Sequence, residues 1–248
     1  MTLSEPLPQP VSPFHNLVDI IAAPATALRR IGATQPRSWW FPALLAVAGG
    51  LLYLGVTLDE LAAETARQMQ IQLGAMPAEQ VEAARPLIER FNSPVFLFAS
   101  GAVGILLGLI AAWLLAAGLL YFGAAILGAS LPFNRWWAPV VWTWVPFGLR
   151  GFVQAAWSLV NGSLIRYNGL AYLVASGDST ADQANPLFAL ASQMDLWTLW
   201  HGVLVYLLLR TAARLGRGSA IALTLFYAVV SLGLRVLPVV AGNLFRVG

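Results

Sequence analysis

The chain contains no cysteine and no lysine, and charged side chains make up only 10% of its 248 residues. Without cysteine there can be no disulfide, no thiol nucleophile and no cysteine-ligated cluster. A soluble domain is typically about 25% charged, so this chain has too little charge to solvate a globular surface. All fourteen basic residues are arginine, and they form no basic run despite a pI of about 9.7. Most arginines lie near the ends of apolar segments, where positive-inside bias and snorkelling account for them; this excludes nucleic-acid binding. The first 38 residues lack the basic n-region and apolar h-region of a cleaved signal peptide. The sequence holds no His-Glu-x-x-His, no paired-glutamate motif in an apolar run and no serine with a plausible base. An enzyme is therefore not expected, and neither is a cofactor.

What the chain has instead is apolar residues, 58% of the total, gathered into runs long enough to cross a bilayer. The expected architecture is all-α: a polytopic membrane bundle of about five transmembrane helices preceded by an N-terminal surface helix. The spans fall at about 39–58, 94–121, 135–160, 195–213 and 219–240, within a membrane domain of 39–240. Residues 1–38 read as a cytoplasmic tail, disordered over 1–13, followed by the surface helix. There Phe14, Leu17, Val18 and Ile21 recur at helical spacing, a short helix restarts at Pro24, and Arg29, Arg30 and Arg37 face anionic headgroups. Residues 59–93 carry six acids and three arginines and read as a helical outer loop, while 161–194 form a second, polar outer loop with apolar pieces near 170–175 and 186–191. Residues 241–248 are a C-terminal tail. Asn92, Ser93 and Pro94 suit the start of the second span, Asn134 can cap the third and Asp195 the fourth. Arginine density in the short connections places the N-terminus in the cytoplasm, in a multi-pass protein of the cell (inner) membrane.

Four segments, taken in order and spacing, resemble the Yip family (Ypt-interacting proteins), specifically its bacterial branch. They are Pro24 through Arg29 and Arg30 into Trp39–Pro42; Met76–Ala83 (MPAEQVEA); Leu127 and Gly128 followed by Phe133–Trp137 (FNRWW) and Val141–Pro146 (VWTWVP); and Asp195–Trp200 (DLWTLW). The resemblance covers nearly the whole chain and implies the five-span fold. Eukaryotic relatives act in vesicle traffic and bind prenylated small GTPases, but no feature of this chain maps onto such a binding site.

The strongest polar signal lies on the third span. Thr143, Phe147, Arg150, Gln154, Ser158 and Asn161 follow one another at three or four residues and share a helix face. Arg150 falls about fourteen residues into the span, roughly 20 Å deep at 1.5 Å per residue, where a charge must face protein or water. Pro146 is placed to kink this helix one turn earlier. Three readings stay open: an anion- or headgroup-binding cavity formed by Thr143, Arg150, Gln154, Ser158 and Asp195; a structural arginine that locks the bundle; or an interfacial arginine after an early helix end. On the second span, Ser100, Gly104, Gly108, Ala112 and Ala116 form a small-residue stripe suited to close helix packing. Arg235 is expected to snorkel. His201 is expected at the interface beside Trp197 and Trp200, and most of the ten tryptophans in the belts. Glu79 and Glu82 lack further ligands, so no metal site is expected. The function these readings support is a non-enzymatic scaffold, accessory subunit or membrane-organisation and trafficking factor. It would pack on a protein partner or a second copy within the lipid bilayer. The alternative is a transporter or lipid- and anion-handling protein built around Arg150.

Overall fold

The computed structural model describes residues 11–74, 76–129 and 131–246. Most of the tail expected at 1–13 therefore lies outside the described residues. Among these, every regular element is helical: α1 (Pro13–Ala22), α2 (Pro24–Thr34), α3 (Trp40–Val56), α4 (Leu58–Leu73), α5 (Ala78–Phe91), α6 (Pro94–Ile126), α7 (Trp137–Trp142), α8 (Val145–Asn161), α9 (Ser179–Ala184), α10 (Pro186–Ala191), α11 (Leu196–Thr211) and α12 (Arg217–Arg246). Local chemistry sets many of the starts. The Ser12 hydroxyl accepts from His15 N–H, and Pro13 and Pro24 occupy first-turn positions where a missing N–H costs nothing. Ser93 Oγ accepts from Phe96 N–H ahead of α6. Asp178, Asn185 and Asp195 cap α9, α10 and α11 through their side chains. Asn134 does not cap the third apolar segment; it lies within a 3₁₀ turn, Phe133–Arg135, and Trp136 precedes α7 instead.

Among the described residues, two helices are long and apolar enough to cross a bilayer, α6 and the Arg217–Asn243 stretch of α12. A third candidate is α3 with the adjoining part of α4, Leu58–Ile71, bent by 62° where they join. Helices α8 and α11 have 17 and 16 residues, short of the roughly 20 needed for an untilted hydrocarbon crossing.

The chain divides into two compact units: Met1–Ala46, Ala112–Phe147 and Arg166–Gly248 in the first, Val47–Ala111 and Gly148–Ile165 in the second. In the first, α2 packs on α11 and α7, with Ala27, Leu28 and Ile31 fully buried. This corrects the expectation that α2 lies on the surface with all three of its neighbouring arginines turned to headgroups. Arg29 and Arg37 are exposed, but Arg30 is only 7% exposed. Its guanidinium donates to Asn16 Oδ1 at 2.7 Å and to Asp19 Oδ2 at 2.5 Å, both on α1, and Asn16 Nδ2 donates in turn to Gln35 Oε1 at 2.5 Å. A charge this deep persists because a carboxylate and an amide satisfy it. On the opposite side of α1, Phe14, Val18 and Ile21 form an exposed apolar stripe.

The tryptophans are also only partly belt residues. Trp136 and Trp142 are 1% and 0% exposed, and Trp113 and Trp144 are buried as well. Two of the four indoles find an acceptor, Trp142 Nε1 donating to Ser38 Oγ and Trp136 Nε1 to Leu131 O, both at 3.0 Å, whereas the N–H groups of Trp113 and Trp144 have no partner among the described residues. Trp39, Trp40 and Trp157 are the exposed ones.

In the second unit, α3 and α8 meet backbone to backbone. A methyl group at Gly151 would stand 2.5 Å from the Gly49 carbonyl carbon and oxygen, and one at Gly49 would collide with the Gly148 carbonyl oxygen. Only glycine allows that approach, which maximises van der Waals contact where no hydrophobic drive joins helices in lipid.

Candidate functional site

The polar residues read from the third apolar segment do not sit on one continuous helix. Pro146 has no N–H for the Trp142 carbonyl four residues earlier. Helix α7 ends at Trp142, Thr143 and Trp144 form a turn, and α8 resumes at Val145 with Pro146 in its first turn. Phe147 N–H bonds to Trp144 O at 3.0 Å rather than continuing the ladder to Thr143. The Thr143 carbonyl, buried with its residue, takes its bond from elsewhere: His201 Nδ1 on α11 lies 2.8 Å away.

This contact settles the imidazole tautomer. A carbonyl oxygen can only accept, so Nδ1 carries the proton. Nε2 is then the acceptor for the Tyr227 hydroxyl of α12, at 2.9 Å. The rings of Trp144 and Phe147 stand 5.3 and 5.1 Å from the imidazole. The expectation of an interfacial His201 is therefore corrected: it is a buried link that joins the break after α7 to α11 and α12. The physical reason is the demand of an orphaned backbone acceptor in a water-poor interior. Both ring nitrogens are engaged, which leaves neither available to a ligand in this arrangement.

Thr143 is fully buried, and its hydroxyl is committed to Val140 O at 2.7 Å. Arg150, Gln154 and Ser158 share one face of α8, the first two half-buried. Ser158 is buried, and its Oγ has no hydrogen-bond partner among the described residues. Asp195 is half-buried at the start of α11, where Oδ1 accepts from Thr198 N–H at 2.8 Å. Thr143 and Asp195 belong to the first unit and Arg150, Gln154 and Ser158 to the second. Arg235 is exposed on α12, donates to Gln193 Oε1 at 2.6 Å and lies 5.6 Å from the Phe147 ring centroid. Among the described residues no three His, Asp or Glu side chains gather as a metal site would require.

The small-residue stripe is split along α6. Ser100, Gly104 and Gly108 are exposed, Ala112 is half-buried and Ala116 is buried. A side chain at Gly104 or Gly108 would meet nothing within 4 Å. The close approaches of α6 are made at other positions along the helix, at Gly101 against Leu54 in one unit and Gly123 against Leu223 in the other.

An all-helical chain with two or three apolar segments able to cross a bilayer is an integral membrane protein whose surroundings are lipid. Residues 18–237 match the Yip1 domain, and the chain belongs to that family. No curated protein and no solved structure matches it.

Proposed function

We propose that this chain is a non-enzymatic scaffold or accessory subunit that docks a partner helix, or a second copy, on the open small-residue face of α6. The supporting observation is the empty space over Gly104 and Gly108 on a 33-residue apolar helix. Glycine there lets a foreign backbone come close, as membrane helix pairs require. In this reading the protein is of the bacterial Yip branch, in the inner membrane, with a cytoplasmic N-terminus and five spans: α3, α6, α7 with α8, α11 and α12. The acids Asp59, Glu60 and Glu64 keep α4 out of the hydrocarbon. The apolar stripe of α1 rests on the membrane surface.

The absence of cysteine makes the test clean. Single cysteines at Gly104 and at Gly108, oxidised in native membranes, should give one discrete adduct each. A cysteine at the α12 position Val229, exposed elsewhere, should give none. Equal adducts at all three positions, or none at any, would remove the α6 docking face. A second reading, a polar cavity that handles anions, draws on the buried, unpartnered Ser158 hydroxyl beside Arg150 and Gln154. It requires Arg150→Gln to abolish cellular function in a protein that still folds.

A further inference from the structure

An open groove of about 940 Å³ runs between α11 and α12. Leu199, Val203 and Tyr206 form one wall, and Leu225 and Leu232 the other. The floor is set by two small residues, Gly202 and Ala228. A side chain built at Gly202 meets nothing within 4 Å, so the space over the floor is real room and not a packing seam. The neighbouring helices α11 and α12 are in direct contact. The groove between them is a crevice, whereas a docked helix would bring a cylinder about 10 Å across.

One end of the groove is polar, and apart from Tyr206 and Thr224 the rest is lined by apolar residues and glycine. Gln193, Asp195 and Thr198 line that end. The Thr198 hydroxyl is buried and lacks a hydrogen-bond partner among the described residues. The exposed Arg235 guanidinium is tied to Gln193 one turn past Leu232, and it marks the same end. From Asp195 to Tyr206 the helical rise spans about 16 Å, close to half of the roughly 30 Å hydrocarbon core. The crevice thus has the length of a single leaflet, with a cation, an acid and an unpartnered hydroxyl at its headgroup end.

We infer that the α11–α12 groove is a binding site for one zwitterionic glycerophospholipid. An acyl chain lies over Gly202 and Ala228, and the phosphate meets Arg235. The Thr198 hydroxyl donates to a lipid ester or phosphate oxygen, and the headgroup amine faces Asp195. The carboxylate at the mouth disfavours purely anionic lipids, which lack the compensating amine. This site is separate from the α6 face, and it holds whether or not that face docks a partner.

The test is the lipid retained by the full chain after extensive washing in a mild maltoside detergent, read by native mass spectrometry and lipid extraction. One phosphatidylethanolamine per chain is expected. Gly202→Phe fills the crevice and should lower that occupancy at least about tenfold, a difference of one decade in binding constant. Ala228→Leu narrows the crevice from the other wall and should act in the same direction, which carries the test if the first variant folds poorly. Asp195→Asn, which can keep the cap on α11, should retain a lipid but erase the preference for phosphatidylethanolamine over phosphatidylglycerol. A wild-type chain that retains no lipid would overturn the site. So would a mixture matching the bulk membrane that Gly202→Phe leaves unchanged, since that is annular lipid only. A stoichiometric protein displaced by Gly202→Phe would equally overturn it, in favour of a partner helix.

Discussion

The two compact units hold their helices together by opposite means. In the first, the tightest links are buried polar side chains: Arg30 with Asn16 and Asp19, His201 with Thr143 and Tyr227, Trp142 with Ser38. In the second, α3 and α8 need no side chains at their crossing, only the missing ones of Gly49, Gly148 and Gly151. The difference follows from helix continuity. The first unit contains the short helices α1, α2 and α7, whose ends leave backbone and side-chain groups that must be satisfied inside. The parts of α3 and α8 that meet in the second unit are unbroken, so their backbone bonds are internal and dispersion alone can join them.

The largest effect should come from the polar side of this contrast. Arg30→Ala leaves the Asp19 carboxylate and the Asn16 amide without their shared donor. Breaking a buried pair from one side costs about 3 kcal/mol or more. A thermal or denaturant melt in detergent should show it, and the Asp19→Ala, Arg30→Ala double variant should recover part of the loss. Full additivity of the two single variants would show that Arg30 is not held by Asp19 at all. Gly151→Ala tests the other side. Its methyl meets Gly49 backbone, which cannot rotate away, and overpacking of this kind costs about 1–3 kcal/mol. Gly104→Ala, with nothing within 4 Å, is the control and should stay within about 0.5 kcal/mol of the parent. If both glycine variants melt alike, close backbone approach is not what joins α3 and α8.

The third effect concerns the break after α7. His201→Phe preserves the ring and its aromatic neighbours but leaves the Thr143 carbonyl unbonded and removes the acceptor of the Tyr227 hydroxyl, which keeps its bond with Ser231. Stranding buried acceptors and donors costs about 1–3 kcal/mol. Of the imidazole's bonds, Tyr227→Phe removes only the outer one, and the smaller loss of about 1 kcal/mol is expected. Equal losses would mean that the backbone carbonyl is satisfied without the imidazole.

These links also show what the sequence could and could not reveal. The helical fold and the capped starts at Ser93 and Asp195 were legible because each signal lies within a few residues of its consequence. Pro146 announced a disturbance, but not that the helix would stop at Trp142 or that a histidine 58 residues away would meet the buried Thr143 carbonyl. Arg30 reads as a headgroup-facing arginine until the hairpin of α1 and α2 brings Asn16 and Asp19 against it. The α6 stripe was visible as a pattern of small residues, yet the glycines in closest backbone contact, Gly49 and Gly151, lie about a hundred residues apart and form no local pattern. The α11–α12 groove is hidden for a similar reason: its floor of Gly202 and Ala228 exists only once two helices lie side by side.

The smallest effect is local and belongs to the polar unit. The segment from Arg166 to Asn185 is tied by Asp182, whose Oδ1 accepts from Ser176 N–H at 2.6 Å, and by Arg166, which donates to Gly177 O at 2.8 Å. The Ser176 N–H bond, outweighing the cost of burial and aided by Gly177 N–H and the Arg166 charge, holds the Asp182 carboxyl below the usual carboxylate range. A carboxylate with a depressed folded-state pKa favours folding above its unfolded value, about 3.9, and that contribution disappears as pH falls through the lower folded value. Hydrogen exchange at Ser176 and Gly177 should therefore be slow at neutral pH and should accelerate, relative to the intrinsic rate, only below about pH 4. Asp182→Asn should show the faster exchange already at neutral pH while leaving global melting nearly unchanged. If acid loosened the Arg30 cluster before this segment, the hierarchy among the polar links would be reversed. The segment would then be the firmer of the two, despite its exposure to water at Asp178 and Arg166.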